Sequence, residues 1–492
     1  MILKHLFSEL PAEITGSSDI DIKGLSYDSR NISDGYLFFA QDGVHTSGKN
    51  YAAQAVSKGA VCVVSDKKIE NLNCTNVVVS DVSKAMSEIS AKFYDYPDKK
   101  MTVIGVTGTN GKTSITYMTE SVFQSLNIDI GVIGTINYRY AGTFIEAPNT
   151  TPQSVDLYKM MYEMVNSGIK YLIMEVSSHS LVLGRISGIE FDIAVFTNLT
   201  QDHLDFHKNM ESYFEAKKML FYSLKSNVKN NKKFAIINSD DIYGRKILES
   251  GLNAEKISYS VNDADSKCRA YNVVLNRDNS SFKIKSIFGD ASINIKHIGL
   301  HNVYNILAVF CICMSAGLAF NEVIKNINNA LGAPGRLERV NFQTDFSVIV
   351  DYAHTHDALQ NVLSAIKNLN PSRIITVFGC GGNRDKTKRS LMAQTACTMS
   401  DFVFITSDNP RDESPELIAK DVEAGAKQIN KNNYKVIIDR KQAIEEAVKK
   451  AQKGNVVLIA GKGHENYQII GQNKIHFDDR EVALDMLKKI KK

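Results

Sequence analysis

Short apolar runs recur along the chain, each closed by a polar cluster and separated by longer stretches with helical spacing. The runs at 101–106, 171–176, 193–197 and 234–238 are rich in Val, Ile and Phe, as buried strands are. The segments between them are long enough for helices, so strand and helix alternate and predict a doubly wound, mostly parallel α/β sheet. The same alternation returns after residue 336, with runs at 348–350, 374–378, 402–405, 436–438 and 456–459. Earlier, 61–64 and 77–79 read as short buried strands and 51–58 as a helix between turns. Residues 265–297 read as a meander of short strands, and 299–314 as the opening and body of an apolar helix. Polar, Pro- and Gly-bearing stretches at 94–100 and 332–338 read as linkers. The pattern therefore predicts a small α/β domain (1–98), a central domain (99–335) and a Rossmann-like C-terminal domain (336–492).

Polar residues gather after the strands, where ligands collect in open α/β sheets. After 101–106 comes Thr107-Gly108-Thr109-Asn110-Gly111-Lys112-Thr113-Ser114, leading into a helical stretch. Strand, glycine-rich turn and helix form the setting of a phosphate loop: glycines free the backbone N–H groups, and the helix N-terminus favours an anion. Lys112 would reach the outer phosphates and Thr113 would ligate Mg²⁺. Val106 stands where the strict pattern has its first Gly, so the loop is a variant. Further clusters are Asn149-Thr150-Thr151-Pro152, Glu175-Val176-Ser177-Ser178-His179 and Thr197-Asn198 through Asp202-His203-Leu204-Asp205. A carboxylate and an imidazole at adjacent strand ends suit Mg²⁺, and helix capping is the bland account of each alone. Lys217 falls inside the apolar stripe of a helix over 210–224, where it must snorkel, pair or lose its charge. In the last domain Asp351 to His354, Asn383 to Lys386, Asp408 to Arg411 and Gly461 to Glu465 follow strands. The Gly-x-Gly-x-x-Gly fingerprint of dinucleotide sites is missing there.

Composition narrows the function. A chain of 492 residues exceeds one core, and a net charge of +4 gives no electrostatic case for nucleic acid or membrane binding. The seven cysteines form no CxxC pair, which fits a reducing, cytoplasmic setting without structural zinc. The N-terminus lacks the apolar core of a signal peptide, and no run reaches membrane-spanning length.

The ordered series of motifs resembles the Mur ligase family over essentially the whole length. Asp28-Ser29-Arg30, Gly108 to Thr113, Asn149 to Pro152, Glu175 to His179, Asp202 to Asp205 and Ala216-Lys217 carry the resemblance in the first part. His301-Asn302 to Asn305, Gly335-Arg336-Leu337-Glu338, Asp351 to His354, Asp408 to Arg411 and Gly461 to Glu465 carry it in the second. The resemblance implies an N-terminal UDP-sugar domain, a central ATPase and a C-terminal domain that takes the incoming amino acid. It implies a monomeric ATP- and Mg²⁺-dependent amide ligase of cytoplasmic peptidoglycan precursor synthesis. Such an enzyme adds meso-diaminopimelate, or alternatively L-lysine, to UDP-N-acetylmuramoyl-L-alanyl-D-glutamate through an acyl phosphate. By this resemblance Asp28, Ser29, Arg30, His45, Thr46, Asn149, Thr150, Thr151, Ser177 and Arg185 hold the UDP-muramoyl dipeptide. Gly108, Thr109, Asn110, Gly111, Lys112, Thr113 and Ser114 cradle the phosphates, with Asn302 and Asn305 at the adenine, Arg336 near phosphate and Asp351 at the ribose. Thr113, Glu175 and His203 are the metal ligands, joined by Lys217 as N6-carboxylysine formed with carbon dioxide. Arg384, Asp408, Asn409, Pro410, Arg411, Gly461 and Glu465 meet diaminopimelate, Arg411 at its distal carboxylate and Glu465 at its distal ammonium.

Two departures touch local shape. His356 stands where the family has proline and is expected to open or cap the next helix. Leu183 is apolar where some relatives are polar. Two rivals share the loop. Folylpolyglutamate synthase is opposed by the Asp28-Ser29-Arg30 and Asp408-to-Arg411 motifs. A P-loop switch protein would need a guanine-reading Asn-Lys-x-Asp string, and Asn231-Lys232-Lys233-Phe234 lacks the Asp.

Overall fold

The structure is a computed structural model that describes residues 1–43, 46–224, 232–276 and 279–490. The N-terminal sheet has five strands in the order Glu13–Thr15, Thr75–Val78, Ala60–Ser65, Tyr36–Phe39, Gly24–Ser26. Only its Glu13–Thr15 edge is antiparallel. The helix Val82–Phe93 buries Val82, Ala85, Met86 and Ile89 against this sheet, and Asp81 caps it by accepting from Lys84 N.

In the central sheet the parallel strands run Glu255–Ser260, Phe234–Asn238, Ile193–Phe196, Thr102–Thr107, Tyr171–Glu175, Ile130–Ile133. An antiparallel hairpin, Asn137–Tyr140 and Thr143–Glu146, extends that last edge. The strand that leads into the glycine loop thus lies inside the sheet, with Glu175 and Phe196 ending its two neighbours. Ile130–Ile133 and Glu255–Ser260 escaped the sequence reading. The first is four residues long with a glycine, and the second, Glu-Lys-Ile-Ser-Tyr-Ser, has only two apolar positions.

The six-stranded C-terminal sheet runs Glu338–Arg339, Ser347–Asp351, Val456–Ala460, Ile374–Cys380, Phe402–Ser407, Tyr434–Val436, parallel except at its first edge. Val348 and Val350 face one core with Val377, Ile444 and Ile459, while Ile349 faces another with Leu359, Phe378 and Met392. Helices on both faces explain why these strands read as continuous apolar runs. Each fully buried Val or Ile contributes about 1.5–3 kcal/mol. Arg440 and Asp479, both fully buried, pair through Nε–Oδ1 at 2.8 Å and Nη2–Oδ2 at 2.7 Å. The same guanidinium donates to Ala460 O and Ser407 O, tying two helices to two strand ends.

By compactness the chain forms two units, Met1–Cys268 with Ala308–Val323 and Arg269–Leu307 with Ile324–Lys492, and the division falls inside the helix Leu300–Ser315. Both stretches read as linkers are packed. Pro97 and Asp98 are buried in a short 3-10 turn, and Asp98 Oδ2 accepts from Glu190 N at 3.0 Å. A β-carbon at Gly335 would lie 2.1 Å from the main chain of Gly463, so the two backbones touch. His356 opens the helix His356–Lys367 while Thr355 caps it, accepting from Ala358 N.

Candidate active site

The glycine loop bridges the strand Thr102–Thr107 and the helix Lys112–Ser125. Gly108 has φ +140°, and a β-carbon there would sit 1.9 Å from Thr197 Oγ1, so no other residue fits. The neighbouring strand end braces the loop. Thr197 Oγ1 donates to Asn110 O (2.6 Å), Asn110 N donates to Asn198 Oδ1 (2.9 Å), and Thr109 Oγ1 donates to Thr200 O (3.2 Å). Lys112 Nζ donates to Gly108 O at 2.8 Å and Thr109 O at 2.9 Å, folding back over the loop it follows.

Thr113 Oγ1 donates to Glu175 Oε2 at 3.0 Å. That carboxylate is buried and also accepts from Thr135, from N (2.9 Å) and from Oγ1 (3.0 Å). Thr135 was missed by the sequence reading, because it follows a strand that the reading did not find. Thr150 Oγ1 lies 3.1 Å from Thr135 Oγ1, and Thr151 Oγ1 donates to Glu175 O at 2.8 Å. Ser177 N donates to Thr151 Oγ1 (3.1 Å), and Arg185 Nη1 donates to Thr151 O (3.0 Å). Glu175, Thr150, Thr151, Ser177 and Arg185 are thus one bonded cluster that continues from Thr113. Burial pushes the Arg185 guanidinium below its ordinary value.

Lys217 is 1% exposed on the helix Met210–Tyr222. Its Nζ donates to Gly108 O at 2.9 Å and lies 4.6 Å from the centre of the Tyr213 ring. Burial, and then the like charge of Lys112, hold its amine well below the usual lysine range, against a weaker pull from Asp202. Tyr213 Oη meets Thr109 Oγ1 at 3.3 Å. His203 caps a short helix at φ +53°, with Nε2 3.4 Å from Asp202 Oδ2 and its ring edge-on to His179 at 5.0 Å. His207, also missed, meets Ser178 Oγ through Nε2 at 2.8 Å. Among the described residues no three His, Cys, Asp or Glu side chains gather as a metal cluster. The geometry groups Thr113 with Glu175, and His203 with Asp202 and His179.

In the N-terminal domain Asp28 Oδ1 caps a 3-10 turn by accepting from Arg30 N, and its carboxylate takes Arg30 Nε and Nη2 at 2.8–3.1 Å. Buried Ser29 donates to Gln54 Oε1 at 2.7 Å. Thr46 Oγ1 reaches Tyr51 Oη at 3.4 Å, and His45 lies outside the described residues. A cavity of about 340 Å³ is lined by Tyr27, Tyr138, Asn149, Pro152, Gln153 and Asp156, with Tyr27 Oη donating to Asp156 Oδ2 at 2.6 Å.

The second unit carries the remaining candidates. Asn302 and Asn305 are buried one helical turn apart, Asn302 Nδ2 donating to Ile298 O (2.9 Å) and Asn305 Nδ2 to Asn302 Oδ1 (3.0 Å). Arg336 lies over the Tyr352 ring at 4.8 Å, and its buried Nε has no partner among the described residues. Asp351 accepts from Leu337 N (2.7 Å) and Ala353 N (2.8 Å), and burial raises its carboxyl.

Arg411 adopts φ +51°, and its Nη1 donates to Gly382 O at 3.0 Å and Asn409 O at 3.4 Å. A β-carbon at Gly381 would sit 3.0 Å from Arg411 Nη1 and 3.9 Å from Arg384 Cγ, so both arginines border that glycine. The nearby Glu413 is taken by Arg389 (3.0 Å) and Lys386 (3.3 Å). Asp408, Asn409 and Pro410 are buried, and Gly461 ends the strand Val456–Ala460 beside the Asp408 carboxylate. Asn409 Nδ2 donates to Glu465 Oε2 at 2.9 Å. Lys462, which the sequence reading passed over, is fully buried at the centre of this group.

A glycine loop holding a lysine and a threonine against a strand-end carboxylate defines a P-loop nucleotide-using protein. Three family descriptions narrow the class: Mur ligase family, catalytic domain, matches residues 21–94; Mur ligase middle domain, 106–313; and Mur ligase, glutamate ligase domain, 335–463. The UDP-N-acetylmuramoyl-L-alanyl-D-glutamate–2,6-diaminopimelate ligase of Fusobacterium nucleatum is 44% identical over 97% of both chains. A Clostridium acetobutylicum protein of that name, numbered 1, is 43% identical over 100% of both. A solved structure of a ligase with this name superposes at a TM-score of 0.72 with 31% identity, covering 100% of this chain and 99% of its own. The chain belongs to the Mur ligase family, with the family's three-domain α/β fold, and is an ATP-dependent ligase.

Proposed function

We propose that the chain joins meso-diaminopimelate to the D-glutamate of UDP-N-acetylmuramoyl-L-alanyl-D-glutamate, splitting ATP to ADP and phosphate. The substrate names come from the relatives, and the carrying observation is Arg411. Its guanidinium donates to two main-chain carbonyls, while neighbouring Glu413 is engaged by Arg389 and Lys386. A planar guanidinium so placed can bind the second carboxylate that distinguishes diaminopimelate from lysine. Arg384, Asp408, Asn409, Pro410, Gly461 and Glu465 make up the rest of the amino-acid site.

Residues 1–98 bind the UDP-sugar, 99–335 ATP and 336–492 the amino acid. Asp28, Ser29, Arg30, His45, Thr46, Asn149, Thr150, Thr151, Ser177 and Arg185 hold the muramoyl dipeptide. Gly108 to Ser114 hold the phosphates with Arg336 near them, Asn302 and Asn305 lie at the adenine, and Asp351 at the ribose. The glutamyl carboxylate attacks the γ-phosphorus in line, with Lys112 and the loop amides offsetting the charge that develops. The amine then attacks the acyl phosphate, and the tetrahedral adduct collapses to amide and phosphate.

Mg²⁺ fits the first unit because Thr113 and Glu175 bring a hydroxyl and a carboxylate together, hard oxygen donors at 3.0 Å. His203 is assigned to the same ion. When bound, the cation supplies charge neutralisation at the phosphates. Lys217, whose charged form is disfavoured by burial and by Lys112, is the amine that carbon dioxide would convert to a carbamate ligand. A cytoplasmic monomer completes the proposal, in keeping with seven free cysteines. Phosphate release with the UDP-dipeptide and either amino acid tests the reading: diaminopimelate should give the higher kcat/KM, and a preference for lysine overturns the specificity.

A further inference from the structure

Deep in the amino-acid site sits an ammonium that no substrate assignment uses. Lys462 is 0% exposed, and its Nζ lies 3.1 Å from Asn409 Oδ1, 3.3 Å from Glu465 Oε2 and 3.4 Å from Asp408 Oδ1. Two loops therefore meet on one cation: the one after Phe402–Ser407 and the one after Val456–Ala460. Around it the polar atoms are paired. Asn409 Nδ2 donates to Glu465 Oε2 (2.9 Å), Ile469 N donates to Asn409 Oδ1 (3.0 Å) and Gln468 Nε2 donates to Asp408 O (2.6 Å). The ring of Tyr467 lies 5.6 Å from the ammonium.

We propose that Lys462 is a positioning residue for amino-acid binding, a buried cation that sets where Glu465 points to receive the substrate's ammonium. This rests on the amino-acid site proposed above. The physical reason is the crowding of like charge. Burial pushes the Glu465 carboxyl up, the Lys462 ammonium pulls it down and the nearby Asp408 adds to the upward push, so the cation between the two carboxylates favours the charged form of Glu465. Glu465 Oε2 carries bonds from both Lys462 and Asn409, which leaves Oε1 as the oxygen for a ligand. Lys462 cannot serve as a substrate contact itself, since its charge is satisfied on the protein side and it has no exposed surface.

The other charged or titratable groups that act on Glu465 and its pocket are Asp408, Tyr352 and Arg440, with Arg336 and His464 beside Tyr352. With Lys462 replaced by a neutral side chain, burial and Asp408 both favour the protonated form of Glu465. Amino-acid use should then become pH-dependent, improving as pH rises and Glu465 ionises.

The test measures Lys462→Met in the full-length enzyme by two assays. Trapping of the acyl phosphate by hydroxylamine, with ATP and the UDP-dipeptide but no amino acid, should stay within about twofold of the parent. KM for diaminopimelate should rise about tenfold or more and fall again toward high pH. An unchanged KM with no new pH dependence overturns the proposal. Should Lys462→Met not fold, the comparison of Glu465→Gln with Lys462→Met/Glu465→Gln decides, because the double variant removes one of the crowded carboxylates. If Lys462 acts through Glu465, the second substitution changes KM by no more than about twofold. A further rise of about tenfold overturns the proposal. A Glu465→Gln variant that keeps the parent's KM overturns the site reading itself, and the role of Lys462 with it.

Discussion

Lys217 and Lys462 are both fully buried lysines, one in each compact unit, and their surroundings differ in sign. Lys462 has Asp408, Asn409 and Glu465 within 3.4 Å. Lys217 has a carbonyl and an aromatic face, with the positive Lys112 nearby and no carboxylate in ion-pair range among the described residues. Burial alone therefore does not define what a lysine does. Given countercharges, it is held in ion pairs and organises a site. Denied them, its charged form is disfavoured, and the neutral amine is the form that can add carbon dioxide. A third case, Lys233, follows the first pattern, pairing with Glu190 at 2.9 Å and Asp192 at 2.8 Å.

The contrast can be broken most directly at Lys217. Lys217→Met should fold and lose turnover by about 10²–10³-fold, the scale of removing one charge-stabilising group. Its stability should also respond. The folded-state pKa of Lys217 lies below the unfolded value near 10.5, so between the two the unfolded chain binds the extra proton. The parent's stability from this group is complete above about pH 10.5 and falls as pH drops toward the folded pKa. In carbon dioxide-free buffer, Lys217→Met should flatten that slope without lowering the melting temperature at neutral pH. A steep slope retained in the variant would contradict the neutral-amine account.

Arg411→Ala should have an effect of similar size. Loss of a desolvated guanidinium–carboxylate pair costs about 2–5 kcal/mol, or roughly 30- to several-thousand-fold in kcat/KM for diaminopimelate. Lysine, without the second carboxylate, should be used nearly as well by the variant as by the parent. Equal losses for both amino acids would assign Arg411 to the loop's shape and not to recognition.

At Lys462 the expected effect is on stability as well as binding. Removing one partner from a buried charge cluster costs about 3–5 kcal/mol. Denaturant unfolding of Lys462→Met should show that loss, whereas Lys217→Met should show none. Similar changes for the two variants would erase the distinction between them.

The smallest effect is expected at Thr135, whose N–H and hydroxyl both hold Glu175. Thr135→Val keeps the shape and the N–H but removes the hydroxyl. The magnesium concentration giving half-maximal activity should rise about tenfold, as for partners that orient a metal-binding carboxylate. An unchanged requirement would place Glu175 outside the metal site.

The sequence alone determined the alternation of strands and helices, the strand–glycine–helix setting of Lys112 and Thr113, and the inward position of Lys217. These follow from local periodicity and backbone sterics, which neighbouring residues impose on one another. Most parallel strands were legible for the same reason, since a strand buried on both faces must be apolar throughout. Ile130–Ile133 was not, so neither was Thr135, and Glu255–Ser260 is a strand because of pairing that its own sequence does not show, Phe234–Asn238 among its hydrogen-bond partners. Only the tertiary structure decided that Thr113 and Glu175, 62 positions apart, share a bond, and that Lys462 sits against Asp408 and Asn409, more than fifty residues earlier. It also decided that residues 94–100 and 332–338, polar and turn-rich as linkers are, pack against distant backbone. Sequence pattern reports which residues prefer to be buried. Which charges meet once buried depends on distances that exist only after the sheets have assembled.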